Sequence, residues 1–179
     1  HNIGIGYYAL RGTSSNTLTG DRNIAIGSSS LNENTSGFAN IGIGVNVLAY
    51  NNSGERNTAV GDDALLYNST GSRNNAFGDN ALLYNQTGDD NTAIGKDALL
   101  NNLVSNNTAV GNFALSANTS GTLNTAVGNY SLYENTVGER NIAIGDNALA
   151  NNLEANYNIS IGVLSQYSNT SGTRNISIG

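Results

Sequence analysis

The chain has 179 residues, a net charge of −6, 22 glycines and no cysteine, proline, methionine or tryptophan. The absence of cysteine excludes disulfides and thiolate metal sites, and the acidic balance argues against nucleic acid, which requires a basic surface. No apolar run approaches the roughly 20 residues that a membrane-spanning helix needs.

One pentapeptide recurs along the whole chain, and Asn124-Thr125-Ala126-Val127-Gly128 represents it. Each copy begins with an Asn that is followed four residues later by Gly. The opening asparagines are Asn2, Asn23, Asn40, Asn57, Asn74, Asn91, Asn107, Asn124, Asn141, Asn158 and Asn175. Successive copies lie 17 residues apart, except for a first interval of 21 and a sixth of 16. This period predicts a repeat architecture, with residues 1–179 forming a single repeat domain.

Counting from that Asn, the second and fourth positions of each repeat are mostly apolar or β-branched, and they flank a small third residue. Alternation with a period of two is typical of a β-strand, and the β-branched residues agree with it. We expect the fourth-position ladder, which includes Val127, to be buried, so that Val127→Asp would be severely destabilising. The second-position ladder of Ile and Thr is expected to face neighbouring chains.

The second half of each repeat carries Leu at the ninth position and Asn at the twelfth, usually with Gly three residues later. We interpret the Leu segment as a second short strand and the Asn and Gly as corner residues, because both accept positive φ and close their own backbone turns. The four extra residues within the span Arg11 to Leu18 are predicted to form a surface loop. Because the chain begins and ends inside the repeat without a capping element, we expect a slice of a longer array.

These patterns predict an all-β fold, a parallel β-solenoid with equivalent residues stacked above one another. Each coil offers about two or three large aliphatic side chains, worth roughly 1.5–3 kcal/mol each when buried. Ordering 17 residues costs on the order of 1–2 kcal/mol per residue. Because an isolated thin coil is therefore marginal, we expect chains to associate and bury further apolar surface.

The copies Asn-Thr-Ala-Val-Gly and Asn-Ile-Ala-Ile-Gly resemble the head repeats of trimeric autotransporter adhesins, the YadA-like head, and related arrays in phage tail-fibre-like proteins. Ala126, Val127 and Gly128 match the last three positions of that family's Asn-Ser-Val-Ala-Ile-Gly motif, and Ser131 matches its following small residue. The resemblance implies a left-handed parallel β-roll, here of about eleven coils of ~17 residues, with three chains wound about one axis. The period here is longer than the family's, and the Asn lies one residue nearer the Gly.

Two sets of residues are candidate sites. Asn-x-Ser/Thr sequences make the following residues candidate glycosylation acceptors, although the same residues are also good turn formers: Asn34, Asn51, Asn68, Asn85, Asn118 and Asn169. Tyr50, Tyr67 and Tyr84 occupy one position in three consecutive repeats and would form an aromatic strip for carbohydrate or partner binding. The alternative for these tyrosines, which we favour, is packing on the Leu ladder.

Catalytic and metal-binding residues are sparse. The only histidine is His1, so a Ser-His or Cys-His arrangement is excluded elsewhere in the chain. The acidic pairs, such as Asp62-Asp63 and Asp89-Asp90, fall at scattered repeat positions and are interpreted as solvated corners. Asp62, Asp79 and Asp146 share one position, but it is interrupted in other repeats, so we predict no cofactor, with a calcium ion at a corner as the alternative.

The sequence therefore predicts a non-catalytic segment of an extracellular fibre or surface filament that projects and presents a binding surface. Its expected partners are copies of itself, as a homotrimer or filament, and a host or surface glycan or protein. The alternatives are a phage tail-fibre shaft on a virion and an ice-binding solenoid that presents Thr58, Thr92, Thr108 and Thr125. A polysaccharide-processing solenoid enzyme is a further alternative, which would need clustered carboxylates.

Overall fold

A computed structural model describes residues 1–12 and 19–179. These residues contain eleven strands of three residues each and no helix. The strands are β1 (Ile3–Ile5), β2 (Ile24–Ile26), β3 (Ile41–Ile43), β4 (Thr58–Val60), β5 (Asn75–Phe77), β6 (Thr92–Ile94), β7 (Thr108–Val110), β8 (Thr125–Val127), β9 (Ile142–Ile144), β10 (Ile159–Ile161) and β11 (Ile176–Ile178). Every strand coincides with the second to fourth positions of a repeat, as the alternating pattern predicts.

The strands form one parallel sheet in which each strand pairs with its sequence neighbours, from β1 through to β11. Equivalent residues are in register, as Val110 opposite Val127 illustrates. This stacking confirms the predicted parallel β-solenoid. Ten steps of about 4.8 Å make the sheet about 48 Å long.

The predicted second strand is wrong, because each coil reverses too sharply to contain one. In β6's coil, Asp97 and Leu99 have left-handed φ values of 56° and 51°, so the Leu segment is a turn. This turn still stacks on its neighbours, and the Leu48 N–H donates to the Ala64 carbonyl of the next coil at 3.1 Å. A left-handed Leu is unfavourable by roughly 1–2 kcal/mol, which full burial of the side chain offsets.

The interior is narrow and is filled by small residues packed against leucine. Ala93 at the third position, Ala98 at the eighth and Leu99 at the ninth are all 0% exposed. The fourth-position residue points the opposite way, and Val127 in β8 is only half-buried. Our expectation that the fourth-position ladder is buried is therefore wrong, because successive strand residues face opposite sides and the small third residue is the one inside.

Two ladders of buried asparagine complete the interior. At the twelfth position, Asn68 Nδ2 donates to Asn51 Oδ1 of the preceding coil at 2.7 Å and to the Gly71 carbonyl at 2.9 Å. At the first position, Asn57 Nδ2 donates to the same Gly71 carbonyl at 2.8 Å, and its Oδ1 accepts the Asn74 N–H at 2.9 Å. The turns therefore have hydrogen-bond partners inside the coil, which buried backbone groups require.

The close stacking of the coils explains why two positions of the repeat carry glycine. Gly95, at the fifth position, has φ of 130°, and a Cβ there would lie 2.6 Å from the Gly111 carbonyl oxygen of the next coil. Gly71, at the fifteenth position, has no positive φ, but a Cβ would lie 2.5 Å from both Asn68 Oδ1 and the Gly88 carbonyl oxygen. The second glycine is thus required by close packing on the Asn ladder, and positive φ is not its reason.

The repeat departs from its 17-residue period at two places, within the span Arg11 to Leu18 and in the copy that begins at Asn91. The copy that begins at Asn91 is one residue short, yet β6 and β7 keep their register. The Val104 carbonyl takes the place of the corner glycine carbonyl and accepts hydrogen bonds from Asn91 Nδ2 at 2.8 Å and Asn102 Nδ2 at 2.6 Å. The predicted surface loop within Arg11 to Leu18 falls mainly on residues 13–18, outside the described residues.

Candidate functional site

The most extensive feature of the surface is the outer side of the sheet, which we call the outward face. It consists of the second- and fourth-position residues of β1 to β11 and excludes the third-position residues that point inward. Its aliphatic side chains are partly exposed in the single chain, for example Ile94 at 42% and Ile144 at 39%. Apolar side chains therefore run along the whole described sheet at the fourth position, and along both ends of the sheet at the second position, without cover from the chain itself.

No charged residue occurs on the outward face, and its fourth-position ladder is apolar in every strand. The second-position ladder changes along the sheet, from Ile in β1–β3 to Thr or Asn in β4–β8 and back to Ile in β9–β11. The neighbouring sixth position, just beyond the strand, is charged in four repeats, at Asp62, Asp79, Lys96 and Asp146, and uncharged in the others. A partly polar border beside an uncharged centre is the usual arrangement of a protein–protein interface.

The candidate glycosylation acceptors are inside the coil, where sequence reasoning did not place them. Asn34, Asn51, Asn68, Asn85 and Asn118 are all 0% exposed. Their Nδ2 atoms, which would carry the glycan, donate hydrogen bonds to carbonyls of their own turns at 2.9–3.0 Å. This geometry argues against glycosylation of the folded chain at these positions.

Asn169, the sixth candidate acceptor, lies in the last coil and is partly exposed. Its Nδ2 still donates to the Gly172 carbonyl at 2.9 Å, and its Oδ1 accepts the Gly172 N–H at 3.0 Å. The twelfth-position asparagines close their own turns, as predicted, but none of the described ones has a positive φ, so that part of our interpretation is wrong.

The three tyrosines of the predicted aromatic strip do stack. The ring centroids of Tyr50 and Tyr67, and of Tyr67 and Tyr84, are 5.5 Å apart, with planes 1° and 3° from parallel. The rings are 40–47% exposed, so they pack on one another at the surface. Because stacking covers the faces of the middle ring, the strip presents mainly ring edges and hydroxyl groups to a partner.

A small cavity of about 190 Å³ lies beside the Tyr50 end of the strip. It is lined by Glu33, Asn46, Ala49 and Leu66, among others. The lining suits a small polar molecule, but the volume is below the roughly 300 Å³ at which ligand pockets usually begin. We therefore assign it no ligand.

Sequence reasoning missed a second aromatic group and a cation–π stack of two arginines on one phenylalanine. Phe113 and Tyr130 stack with centroids 5.0 Å apart, and Tyr133 meets Tyr130 edge-on at 5.3 Å. Arg22 and Arg56 lie on opposite faces of Phe38, each 5.2 Å from the ring centroid. For Phe113 and Tyr130 the available signal was their shared seventh position in consecutive repeats.

The acidic pairs form local contacts within and between coils. Asp90 accepts two hydrogen bonds from Arg73, from Nε at 2.7 Å and from Nη2 at 2.9 Å. This hydrogen bonding, together with the positive charge, lowers the pKa of the Asp90 carboxyl. Asp89 accepts the Ser72 N–H at 2.7 Å, and Asp63 accepts a hydrogen bond from Asn46 Nδ2 at 3.0 Å.

Among the described residues, no three His, Cys, Asp or Glu side chains converge in a way that could hold a metal ion. The aspartates suggested as calcium ligands, Asp62, Asp79 and Asp146, therefore do not belong to any cluster of three such side chains. Asp62 accepts a long hydrogen bond from the Val45 N–H at 3.3 Å. His1, the only histidine, is exposed beside the first strand.

A scan against protein-family models, a search of curated proteins and a search of solved structures each return no match to this chain. Within the described ranges, no helix is long and apolar enough to span a membrane. The repeat sequence and the geometry of the outward face are therefore the features of this chain that bear on its function.

Proposed function

We propose that the chain is a non-catalytic structural segment of an extracellular fibre, in which three parallel copies pack through their outward faces. The observation that supports this proposal is the uncharged outward face, whose fourth-position ladder is apolar in all eleven strands and whose second-position ladder is apolar in β1–β3 and β9–β11. A monomer would leave these side chains in water. Burial of a Val or Ile side chain stabilises by about 1.5–3 kcal/mol, so association has a strong driving force.

A second copy of the same chain is the partner that fits this face best. The face repeats at the spacing of strands in a sheet, about 4.8 Å, and only another stack of parallel strands matches that spacing along its whole length. Each face is about 48 Å long and about 10 Å wide, or about 480 Å² per chain. Three copies would contribute about 1,400 Å² in total, or about 480 Å² at each of the three pairwise contacts, which is below the roughly 1,200 Å² of a standard two-chain interface. The apolar fourth-position ladder, and not the area, is therefore the argument for association.

The extracellular setting and the adhesive role come from the resemblance of the repeats to YadA-like heads and phage tail-fibre-like arrays. In that setting the rod would sit on a cell surface or in a virion tail fibre and display the residues opposite the outward face. The tyrosine strip of Tyr50, Tyr67 and Tyr84 is exposed and is our candidate contact for a host or surface glycan or protein.

Light scattering combined with size exclusion, at micromolar protein, tests the association directly. We expect the native chain to have three times the mass of one chain, and Ile94→Lys to have the mass of one chain. Thr70→Lys, an exposed change away from the sheet, is the matched control and should remain trimeric. A monomeric native chain, or an Ile94→Lys trimer, would overturn the proposal.

A second candidate function, ice binding, is favoured by one observation. Thr58, Thr92, Thr108 and Thr125 all lie on the outward face and are half-exposed, so their hydroxyl groups form a row at strand spacing. Asn75 interrupts this row. Thermal hysteresis from the monomeric Ile94→Lys variant would favour ice binding, whereas its absence from both native and variant chains would exclude this candidate.

A further inference from the structure

A repetitive face creates a problem of alignment for the assembly proposed above, on which this inference rests. Neighbouring rungs are nearly identical and lie about 4.8 Å apart. A chain could therefore slip by one rung along its partners and lose only the contacts of the last rung. Something in the sequence must distinguish the rungs if the three chains are to align uniquely.

The second-position ladder supplies part of the distinction through its polar block. In order, from β1 to β11, the ladder is Ile3, Ile24, Ile41, Thr58, Asn75, Thr92, Thr108, Thr125, Ile142, Ile159 and Ile176. A one-rung slip opposes Ile and Thr at both edges of the polar block, and each such pair buries a hydroxyl group against an aliphatic side chain. Burying a polar group without a hydrogen-bond partner is unfavourable.

The polar block alone gives little energetic preference against two kinds of misalignment between chains. It spans β4 to β8 and is centred on Thr92 of β6, so reversing one chain about that centre again opposes Ile to Ile and polar to polar. The five polar rungs would also tolerate a slip among themselves. A residue that breaks the symmetry of the block is needed to exclude both arrangements.

We propose that β5, with Asn75 at its second position and Phe77 at its fourth, is the register key of the assembly. Asn75 is the only amide and Phe77 the only aromatic residue on the outward face. Both are exposed in the single chain, with Phe77 at 38%. The key lies one rung from the centre of the polar block, so it distinguishes both the direction of a chain and its axial position.

The chemistry of the two side chains favours like-with-like contact. An amide carries both donors and acceptors, so asparagines from the three chains can hydrogen-bond with one another at one level. A slipped or reversed chain would place Asn75 against a threonine and would leave amide groups without partners. A single buried Asn is known to set register and orientation in coiled coils by the same physics. Phe77 meets its own copies at the same level in the in-register assembly, where aromatic rings can pack on one another, whereas a slipped chain places it against Val60 or Ile94.

Single-cysteine reporters read the alignment directly, because the native chain has no cysteine. Chains carrying Thr108→Cys form a homotypic disulfide only in the parallel, in-register assembly. A mixture of Thr92→Cys and Thr108→Cys chains, made with different masses, forms a heterotypic disulfide after a one-rung slip. A mixture of Thr58→Cys and Thr125→Cys chains forms one only when a chain is reversed.

The test variant is the double substitution Asn75→Thr and Phe77→Val, which converts β5 to the Thr-Ala-Val sequence of its neighbour β4 and should fold. With the native key, we expect homotypic product to exceed heterotypic product by about tenfold or more, as specificity between closely similar arrangements requires. With the key removed, we expect an unchanged trimer mass and heterotypic products that approach the homotypic yield. The mass of each mixture is measured alongside its disulfides.

The outcomes separate the inference from the proposed function. A trimer whose homotypic preference survives the double substitution would overturn the register key and leave the trimer standing. Heterotypic products from the native chain, or a trimer with no Thr108→Cys homotypic product, would do the same. A monomeric native chain would overturn the proposed function itself, and the key with it.

Discussion

The buried Asn68 side chain provides the sharpest test of how this coil is held together. Its Nδ2 donates to Asn51 Oδ1 at 2.7 Å and to the Gly71 carbonyl at 2.9 Å, and its Oδ1 accepts from Asn85 Nδ2 at 3.3 Å. Asn68→Ala removes all three hydrogen bonds from a site that is 0% exposed. If the asparagine ladder stabilises the fold, replacing this polar side chain should lower the free energy of unfolding as much as replacing an apolar core residue does.

The expected loss follows from which partners remain satisfied. The Gly71 carbonyl keeps its bond from Asn57 Nδ2 at 2.8 Å, and Asn85 Nδ2 keeps its bond to the Gly88 carbonyl at 2.9 Å. Asn51 Oδ1 loses its donor and stays buried, at a cost of about 1–3 kcal/mol, and the other two lost hydrogen bonds add only about 0.5 kcal/mol each, because their partners keep a second bond. We expect a total of about 3 kcal/mol.

Thermal unfolding followed by circular dichroism measures this loss, and Thr70→Ala is the matched control because Thr70 is exposed two residues away. For a chain of this length, about 1 kcal/mol lowers the melting temperature by about 2–4 °C. Asn68→Ala should therefore melt roughly 6–12 °C lower, and Thr70→Ala within about 2 °C of the native chain. Equal melting temperatures for the two variants would refute a stabilising role for the ladder.

Three further predictions follow from the same geometry. Leu99→Ala, at a site with 0% exposure, should lose about 2–5 kcal/mol of unfolding free energy in a denaturant titration; a loss near zero would contradict the core assignment. Arg73→Ala should raise the pKa of Asp90 toward its ordinary value in an NMR titration, because the Arg73 hydrogen bonds lower it. The native contribution of that pair is present above the ordinary carboxyl pKa and is lost as the pH falls through the lowered one. Finally, Ala126→Asp should prevent folding, whereas Val127→Asp should leave the circular dichroism spectrum intact and abolish association; equal effects would contradict the assigned faces.

The repeat period was sufficient to predict the fold. Residues 17 apart, such as Val110 and Val127, are alike because they stack in register on adjacent strands. The alternation around Ala126 placed β8 at Thr125–Val127 without further information. These features were predictable because both depend on local spacing, which a parallel solenoid repeats directly in three dimensions.

The direction in which the strand residues point was not predicted, because size was taken as the mark of burial. In this coil the space beneath the sheet is limited by Leu99 and by the asparagine ladders, so only a residue such as Ala93 fits there. The restriction of the third position to Ala, Gly or Ser was the available signal. A position that tolerates only small residues marks close packing more reliably than a position that carries large ones.

The asparagines were misjudged for a related reason. Turn propensity explains an Asn at a corner, but it does not require Asn at both the first and the twelfth position of almost every repeat. A side chain that must donate and accept along the axis does require it, since Asp lacks the donor and Leu lacks both. The candidate glycosylation sites were a consequence of this ladder, combined with the Ser and Thr residues of the following turn.

The two asparagine ladders, at the first and twelfth positions of the repeat, explain why an apolar surface can lie outside a stable coil. Hydrogen bonds between stacked asparagines, such as Asn51 with Asn68, hold neighbouring coils together where an ordinary domain would use aliphatic packing. The larger aliphatic residues of the strands are then not needed inside and lie on the outward face, where β1 to β11 leave them without cover. The interior satisfies its own polar groups by hydrogen bonds, and this gives the single coil a specific shape. The outward face leaves its apolar groups exposed, and this makes association with further copies favourable.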